Sequence, residues 1–229
     1  MKQRYIVGTF VREEKNRFIC TVTVNGINEE CYIPSSCRLE NFLELAGKEV
    51  LLKENQNKNA RTKLAVYALK LKRNYLILRT AEANALIVDA IKGRRFSYLG
   101  KRSVLEKEYS VSGYKSDIYL PQTKTIIEVK SIINIGSEAV FPTVYSERAI
   151  AQLKKIYELL SSGYRFVYIF VSLNPYVKKV SLSNNEKQSE YKTLFLECVK
   201  KGMLCKAYAS RLTDQGAKIN NEITVDLNC

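Results

Sequence analysis

Three side chains in the middle of the sequence have the types and spacing of a metal-dependent hydrolase. Asp117 precedes the segment Ile126-Ile127-Glu128-Val129-Lys130. If that segment is a strand, Glu128 and Lys130 project from the same face, because successive strand residues point to opposite faces. Two neighbouring carboxylates repel each other unless a cation joins them, so Asp117 beside Glu128 predicts a Mg²⁺ site with the lysine next to the attacking water.

The Glu-x-Lys pattern alone is not specific. It occurs three times, at Glu13-Glu14-Lys15, Glu128-Val129-Lys130 and Glu190-Tyr191-Lys192. Only the middle copy lies in a segment rich in β-branched residues with an Asp-bearing strand before it. The same triplet equally fits a salt-bridged, half-exposed strand without any catalytic role.

Four further residues are candidates for the same site. Glu108 can supply a third carboxylate from the segment before Asp117, and Glu106 competes with it for that role. Arg148 and Gln152 are spaced i,i+4, so they share one face of a predicted helix and can contact the scissile phosphate. A solvated surface glutamate and a solvated helix face are the alternative interpretations.

Composition and charge narrow the chemistry. The chain has 229 residues and a formal net charge of +14, which favours polyanionic partners, nucleic acid above all. No histidine is present, which excludes a Ser-His-Asp triad and a histidine general base. Chemistry must therefore come from carboxylates, lysine, tyrosine or a metal ion.

The cysteines and the apolar segments indicate the compartment. The six cysteines have no CxxC spacing, so we expect neither a structural zinc site nor disulfides, and we interpret them as core residues. No apolar run is long enough to span a bilayer, and no signal-peptide core follows Met1. We expect a cytoplasmic protein without a membrane partner; the sequence leaves open whether it forms a homodimer.

Residues 1–75 have the pattern of a small β-barrel. Cys20, Val22 and Val24 alternate on one face of a strand, and the following Asn25-Gly26 is typical of a type I′ hairpin. Further strands are predicted at residues 5–11, 29–33, 49–53 and 64–71. Five short strands suggest an OB-like barrel, a fold that often binds single-stranded nucleic acid.

Residues 76–229 alternate between helical and strand patterns, which predicts an α/β (α+β) domain. Strands are predicted at residues 116–120, 125–131, 165–173 and 204–208, the last of these closing the core. Helices are predicted at residues 81–91 with Thr80 as the N-cap, from Ser146 onward, and at 191–201. The stripe of the Ser146 helix is predicted as Ala149, Leu153, Ile156 and Leu160. The polar segment 178–190 is predicted to be a mobile loop.

Over almost its whole length the sequence resembles the sugar fermentation stimulation protein A family of bacterial DNA/RNA nucleases. The matching motifs follow the family order: Gly8-Thr9-Phe10-Val11-Arg12, Arg17-Phe18, Asn84-Ala85-Leu86, Asp117, Glu128-Val129-Lys130-Ser131, Phe141-Pro142, Ser146-Glu147-Arg148 and Ala207-Tyr208. Such an ordered series is much more specific than the triplet, and it favours a nuclease.

The resemblance implies an OB-like domain followed by a PD-(D/E)xK, restriction-endonuclease-like domain with a mixed sheet, and dependence on Mg²⁺ or Mn²⁺. On this interpretation the metal ligands are Asp117, Glu128, the carbonyl of Val129 and, as a further ligand, Glu108. Lys130 then positions the water, and Arg148 and Gln152 steady the phosphate of a DNA or RNA strand.

The sequence departs from the family pattern at two places. Ser35-Ser36-Cys37-Arg38 stands where members usually carry Asn-Thr-Gly-Ser, and Gln152 stands where they usually carry histidine. A glutamine can donate to a phosphate but cannot act as an acid or base. Two other functions stay open: a DNA-binding regulator of sugar metabolism without significant catalysis, and an RNA-binding barrel protein whose second domain is only structural.

Overall fold

The computed structural model describes residues 5–34, 38–41, 43–55 and 59–227. The first part of the chain forms six strands: β1 (Ile6–Glu13), β2 (Ile19–Val24), β3 (Ile27–Tyr32), β4 (Glu49–Glu54), β5 (Leu64–Leu71) and β6 (Asn74–Ile77). They are ordered β3-β2-β1-β4-β5-β6, and an additional pairing of β3 with β5 closes the first five into a barrel. The predicted OB-like barrel is confirmed; β6 is an additional strand. The departure at Ser35-Ser36-Cys37 lies outside the described residues.

The hairpin between β2 and β3 forms as its turn residues predict. Asn25 and Gly26 both have positive φ angles, 50° and 82°, as a type I′ turn requires. Val24 pairs with Ile27 on the other side of the turn. Strand β3 therefore begins two residues earlier than the prediction of 29–33.

The second part of the chain is a mixed α/β domain, as predicted. Its elements in chain order are α1 (Glu82–Ala90), β7 (Glu106–Lys107), β8 (Ser110–Val111), β9 (Tyr114–Lys115), β10 (Ile118–Leu120), β11 (Thr125–Ile132), β12 (Glu138–Phe141), α2 (Glu147–Ser161), β13 (Arg165–Ser172), β14 (Lys179–Leu182), α3 (Ser189–Lys200), β15 (Leu204–Thr213) and β16 (Gly216–Asp226). Eight of the strands form one sheet in the order β12-β14-β16-β15-β13-β11-β10-β7, and β8 pairs with β9 in a separate hairpin.

Helices or the barrel cover both faces of the eight-stranded sheet. On the central strand β13, Val167 and Ile169 belong to a core shared with the barrel and α1. Phe166 and Phe170, which alternate with them, belong to the core under α2 and α3. Burial on both faces explains why β13 is an uninterrupted apolar run.

The barrel and the second domain meet at the end of β6. The amide of Ile77 donates to the carbonyl of Leu173 at 3.0 Å, just beyond β13. The division predicted at residue 75 falls inside β6, since this strand pairs with β5 along residues 74–77. The barrel sheet therefore runs up to the start of the second domain without a linker.

The predicted N-cap of α1 is wrong. The helix begins at Glu82, its N-cap position is Ala81, and no side chain caps it. Ala81 is already in the α region, with φ −61° and ψ −15°, so the chain starts to turn before the helix proper. Thr80 contributes only its carbonyl, which accepts from the amide of Ala83 at 3.1 Å.

Helix α2 is capped as predicted, but its buried stripe is rotated. The hydroxyl of Ser146 accepts from the amide of Ala149 at 3.2 Å. The buried residues are Ile150, Leu153, Ile156 and Leu159 rather than a stripe that includes Ala149 and Leu160. The helix packs against both the sheet and α3, which turns Ala149 toward a pocket described below.

The segment 178–190 is not a loop as a whole, so that prediction is wrong. Strand β14 occupies residues 179–182, pairs in parallel with β12 and β16, and buries Val180 and Leu182. Helix α3 begins at Ser189. The last predicted strand also continues to Thr213 and is followed by β16, which pairs with it in antiparallel fashion.

The cysteines contribute packing, as predicted. The four that the structure describes, Cys20, Cys31, Cys198 and Cys205, have free thiols, and the first three are buried. Over the described part of the chain, none of the helices is both long and apolar enough to cross a membrane.

Candidate active site

A pocket of about 480 Å³ opens between the neighbouring strands β10 and β11 and the first turns of α2. Seven of the residues considered for catalysis or metal binding line it: Glu108, Asp117, Glu128, Val129, Lys130, Arg148 and Gln152. The strand pair, the β8–β9 hairpin and α2 each contribute side chains. Residues far apart in the sequence therefore converge on one cavity.

The register of β10 against β11 brings the two carboxylates together. Ile118 pairs with Ile127, so Asp117 lies beside the segment that carries Glu128. Oδ2 of Asp117 accepts from the amide of Val129 at 2.8 Å. In a strand the N–H and C=O of one residue point to the same side. The Val129 carbonyl is therefore directed toward the Asp117 side of β11 as well.

The carboxylate of Glu128 is buried and held by three donors. Its Oε1 accepts from Nζ of Lys130 at 2.6 Å and from Nε2 of Gln152 at 2.7 Å. Its Oε2 accepts from the hydroxyl of Tyr114 at 2.5 Å. Lys130 also donates to Oε1 of Gln152 at 3.1 Å, so the lysine lies between the strand and the helix.

The pKa of Asp117 is raised above its ordinary value. Burial is the largest cause and the charge of Glu128 the next; the Val129 amide, Asn84 and Lys130 oppose them. Nδ2 of Asn84, on α1, donates to Oδ1 of Asp117 at 3.0 Å. A raised carboxyl pKa beside a second carboxylate is typical of a site that gains from a cation.

Sequence reasoning assigned no role to Tyr114 or Asn84. Tyr114 is on β9, a two-residue strand without a periodic signal, and only the folded hairpin brings its hydroxyl to Glu128. Asn84 was part of the family motif in the first helix. The sequence feature that could have indicated its role is a polar side chain between Ala83 and Leu86, which are buried residues of α1.

The donor set fits one hard cation. Each carboxylate has about four lone-pair sites, and the hydrogen bonds described above leave sites free on both Asp117 and Glu128. With the Val129 carbonyl they form an all-oxygen set of the kind that Mg²⁺ completes with water and phosphate. Within the described ranges, no three Asp, Glu or Cys side chains cluster as a metal site by themselves.

The remaining carboxylate candidates lie apart from this pair. Glu108 is exposed at the rim of the pocket, where Nζ of Lys115 lies 2.6 Å from its Oε2. The lysine is the largest cause that lowers the pKa of Glu108. Glu106 is on β7, beside Tyr119 in the sheet, and it does not line the pocket.

Helix α2 brings two side chains over the carboxylates. Gln152 is tied into the Glu128 network, whereas Arg148 is exposed at the mouth and bonds to none of the described residues. Ser146 and Ala149 complete this wall. The arrangement leaves a guanidinium free to meet an anion in front of the carboxylate pair.

Two family models match the chain in sequence order. The SfsA N-terminal OB domain matches residues 13–78, and the sugar fermentation stimulation protein RE domain matches residues 81–216. The boundary between them falls just after β6.

Curated relatives and a solved structure also match most or all of the chain. A sugar fermentation stimulation protein homolog of Caldanaerobacter subterraneus is 27% identical over 99% of both chains, and one of Methanobrevibacter smithii is 29% identical over 75% of this chain and 76% of that one. The structure of Pyrococcus furiosus SfsA in complex with Ca²⁺ covers 99% of this chain and 98% of its own, with a TM-score of 0.82 at 19% identity. Since the RE-domain model alone spans more than half of the residues and the barrel model most of the rest, the chain belongs to the sugar fermentation stimulation protein family.

Proposed function

We propose that this protein is a metal-dependent nuclease that hydrolyses phosphodiester bonds of DNA or RNA. The observation that carries the proposal is the convergence of Asp117, Glu128, Lys130 and Arg148 on one pocket. Two carboxylates for a cation, an ammonium for water and a guanidinium for phosphate are the groups that such a hydrolysis needs.

The cation would be held by Asp117, Glu128 and the backbone carbonyl of Val129. Mg²⁺ or Mn²⁺ bound there would supply Lewis-acid activation and neutralise charge on the phosphate. Glu108 is the weaker candidate ligand, because it is exposed and paired with Lys115. The relative from Pyrococcus furiosus was solved in complex with Ca²⁺, an ion that also prefers oxygen ligands.

The protein's own side chains would orient the other reactants. The ammonium of Lys130 lies between Glu128 and Gln152, where it can hold the attacking water by a hydrogen bond to its oxygen. Gln152 can turn its amide to a phosphate oxygen but cannot take up a proton. Arg148, exposed at the mouth, can form a bidentate contact with the phosphate and stabilise its charge.

The experiment is a cleavage assay with single- and double-stranded DNA and RNA in Mg²⁺, Mn²⁺ or EDTA. Wild-type protein is compared with Lys130→Ala and with the matched control Lys155→Ala. Lys155 is on α2, pairs with Glu158 and does not line the pocket. We expect cleavage that requires metal, is lost by Lys130→Ala and is retained by Lys155→Ala.

Cleavage in EDTA, or equal cleavage by the Lys130→Ala variant, would reject the proposal. The second candidate is a DNA-binding regulator without catalysis, and the OB domain together with the net charge of +14 favours it. Salt-sensitive DNA binding without cleavage in any metal, unchanged in the Lys130→Ala variant, would support that function instead.

A further inference from the structure

The barrel carries a second groove, of about 910 Å³, that the proposed chemistry does not use. It lies where the barrel strands face the start of α1, and its walls include Tyr32, Lys53, Tyr67, Arg79 and Glu82. Grooves at domain junctions, with apolar walls and a few converging polar groups, are typical of ligand-binding sites.

An exposed aromatic pair extends this groove across the barrel surface. The rings of Phe18 and Tyr32 stack with centroids 6.3 Å apart and an interplanar angle of 18°. Each residue is 36% exposed, and the guanidinium carbon of Arg17 lies 4.7 Å from the Phe18 centroid. A solvent-exposed aromatic stack flanked by a cation is an arrangement on which a further planar group can stack.

A second aromatic pair lies deeper, and its contacts are made within the protein. Tyr5 and Tyr67 stack with centroids 5.3 Å apart, and Nζ of Lys53 lies 3.6 Å from the Tyr67 centroid. Burial lowers the pKa of Lys53 from its ordinary value. Tyr67 is only 2% exposed and its ring already contacts Tyr5 and Lys53, so the exposed stacking surface is the Phe18–Tyr32 pair at the mouth of the groove.

The charges indicate what the groove can hold. Lys53 and Arg79 line it together with Glu54 and Glu82, and Arg79 is 3.7 Å from Glu82, so the walls are close to neutral. A groove with balanced charges beside an exposed aromatic pair favours a planar uncharged group over a phosphate. Outside the groove, Arg17 adds a positive charge beside the Phe18 ring.

We propose that the groove and the Phe18–Tyr32 pair bind unpaired bases, so the substrate class is single-stranded nucleic acid. Stacked bases in a duplex do not offer their faces, whereas an unpaired base can stack on an exposed aromatic ring. Phe18 directly precedes β2 and Tyr32 ends β3, and OB-folds use the face of their second and third strands for oligonucleotides. The link to cleavage rests on the proposed nuclease function; the binding itself does not.

The test measures binding in EDTA, where metal-dependent cleavage cannot occur. Fluorescence anisotropy follows labelled oligo-dT, oligo-U and a DNA hairpin duplex with wild-type protein and the double variant Phe18→Leu/Tyr32→Leu. Tyr157→Leu is the control, since Tyr157 is 40% exposed on α2 and lies against Lys201 rather than the groove. We expect both single strands to bind more tightly than the duplex, and the double variant to lose on the order of 10-fold per stacked base. Tyr157→Leu should bind like wild type.

The single variant Tyr32→Phe keeps the ring and should retain affinity, which separates stacking from folding. Preference for the duplex, or unchanged binding by a Phe18→Leu/Tyr32→Leu protein that melts like wild type, would overturn the inference. If wild type shows no cleavage in Mg²⁺ but single-strand binding in EDTA depends on Phe18 and Tyr32, the nuclease proposal fails and this inference stands. Cleavage of duplex and single strand at equal rates, with no effect of the double variant, overturns this inference alone.

Discussion

The hydroxyl of Tyr114 lies 2.5 Å from Oε2 of Glu128 and also accepts from Nε2 of Gln152 at 3.0 Å. Burial and the charge of Glu128 raise the pKa of Tyr114 far above its ordinary value, so the phenol stays protonated and donates to the carboxylate. Tyr114 therefore holds Glu128 without adding a charge that would compete with a metal ion, unlike Lys130 on the other oxygen.

Replacing Tyr114 with Phe should weaken Mn²⁺ binding by about 10- to 100-fold, as loss of a hydrogen bond to a metal ligand typically does. Isothermal titration calorimetry of the purified variants measures this directly. The control is Tyr168→Phe, which removes an equally buried hydroxyl whose partner is Tyr191 at 3.1 Å. Equal affinities for the Tyr114→Phe variant and wild type would contradict the role given to Tyr114.

Asp117→Asn should abolish metal-dependent cleavage while raising the melting temperature in EDTA at neutral pH. Because the folded-state pKa of Asp117 is raised, the native state binds this proton more tightly than the unfolded state. The stability that this raised pKa contributes is therefore fully present below the unfolded-state pKa near 3.8. It is lost as the pH rises through the raised pKa of the folded state. The advantage of the variant should shrink as the pH is lowered toward 3.8. Melting curves between pH 4 and 8 check this, and an advantage that does not change with pH would refute it.

Ser146→Ala should destabilise the protein by about 1 kcal/mol, since it removes the hydroxyl that caps α2. For a domain of this size that corresponds to a fall in melting temperature of about 2–4 °C. Thr80→Ala is the matched comparison, because Thr80 precedes α1 but its side chain does not cap it. If both variants melt at the same temperature, α2 does not depend on its cap.

Arg148→Ala should weaken binding of single-stranded DNA and flatten its salt dependence. An exposed guanidinium that contacts one phosphate contributes roughly 0.7 to the slope of log K against log salt on a single strand. Anisotropy titrations at several NaCl concentrations in EDTA give the slope. Arg211→Ala removes an exposed arginine of β15 outside the pocket and should leave the slope unchanged.

Much of the site was accessible from the sequence because strand periodicity is strict. Placing Glu128 and Lys130 two residues apart on a strand is enough to put both on one face, and Lys130 does lie 2.6 Å from Glu128. Helical spacing likewise places Arg148 and Gln152 together. The capping of α2 by Ser146 was also predictable, because the hydroxyl and the amide that it accepts from are only three residues apart.

The parts that could not be predicted depend on contacts distant in the sequence. Tyr114 reaches Glu128 only because the short β8–β9 hairpin folds over the sheet, and Asn84 reaches Asp117 only because α1 packs on the same sheet. Strand β14 is polar at every second position and short, so it becomes a strand through pairing with β12 and β16. The intrinsic strand propensity of a short segment gives little indication of which strands it will pair with.

The hydrogen bond from Ile77 to Leu173 and the apolar core common to the barrel and β13 have a thermodynamic consequence. Neither half can lose its structure without exposing the other's buried surface to water, so unfolding should be all-or-none, with equal calorimetric and van't Hoff enthalpies. A fragment that ends after β6 would leave Leu76 and Ile77, both fully buried in the whole chain, without their covering residues. The two sequence-defined domains should therefore unfold as one cooperative unit.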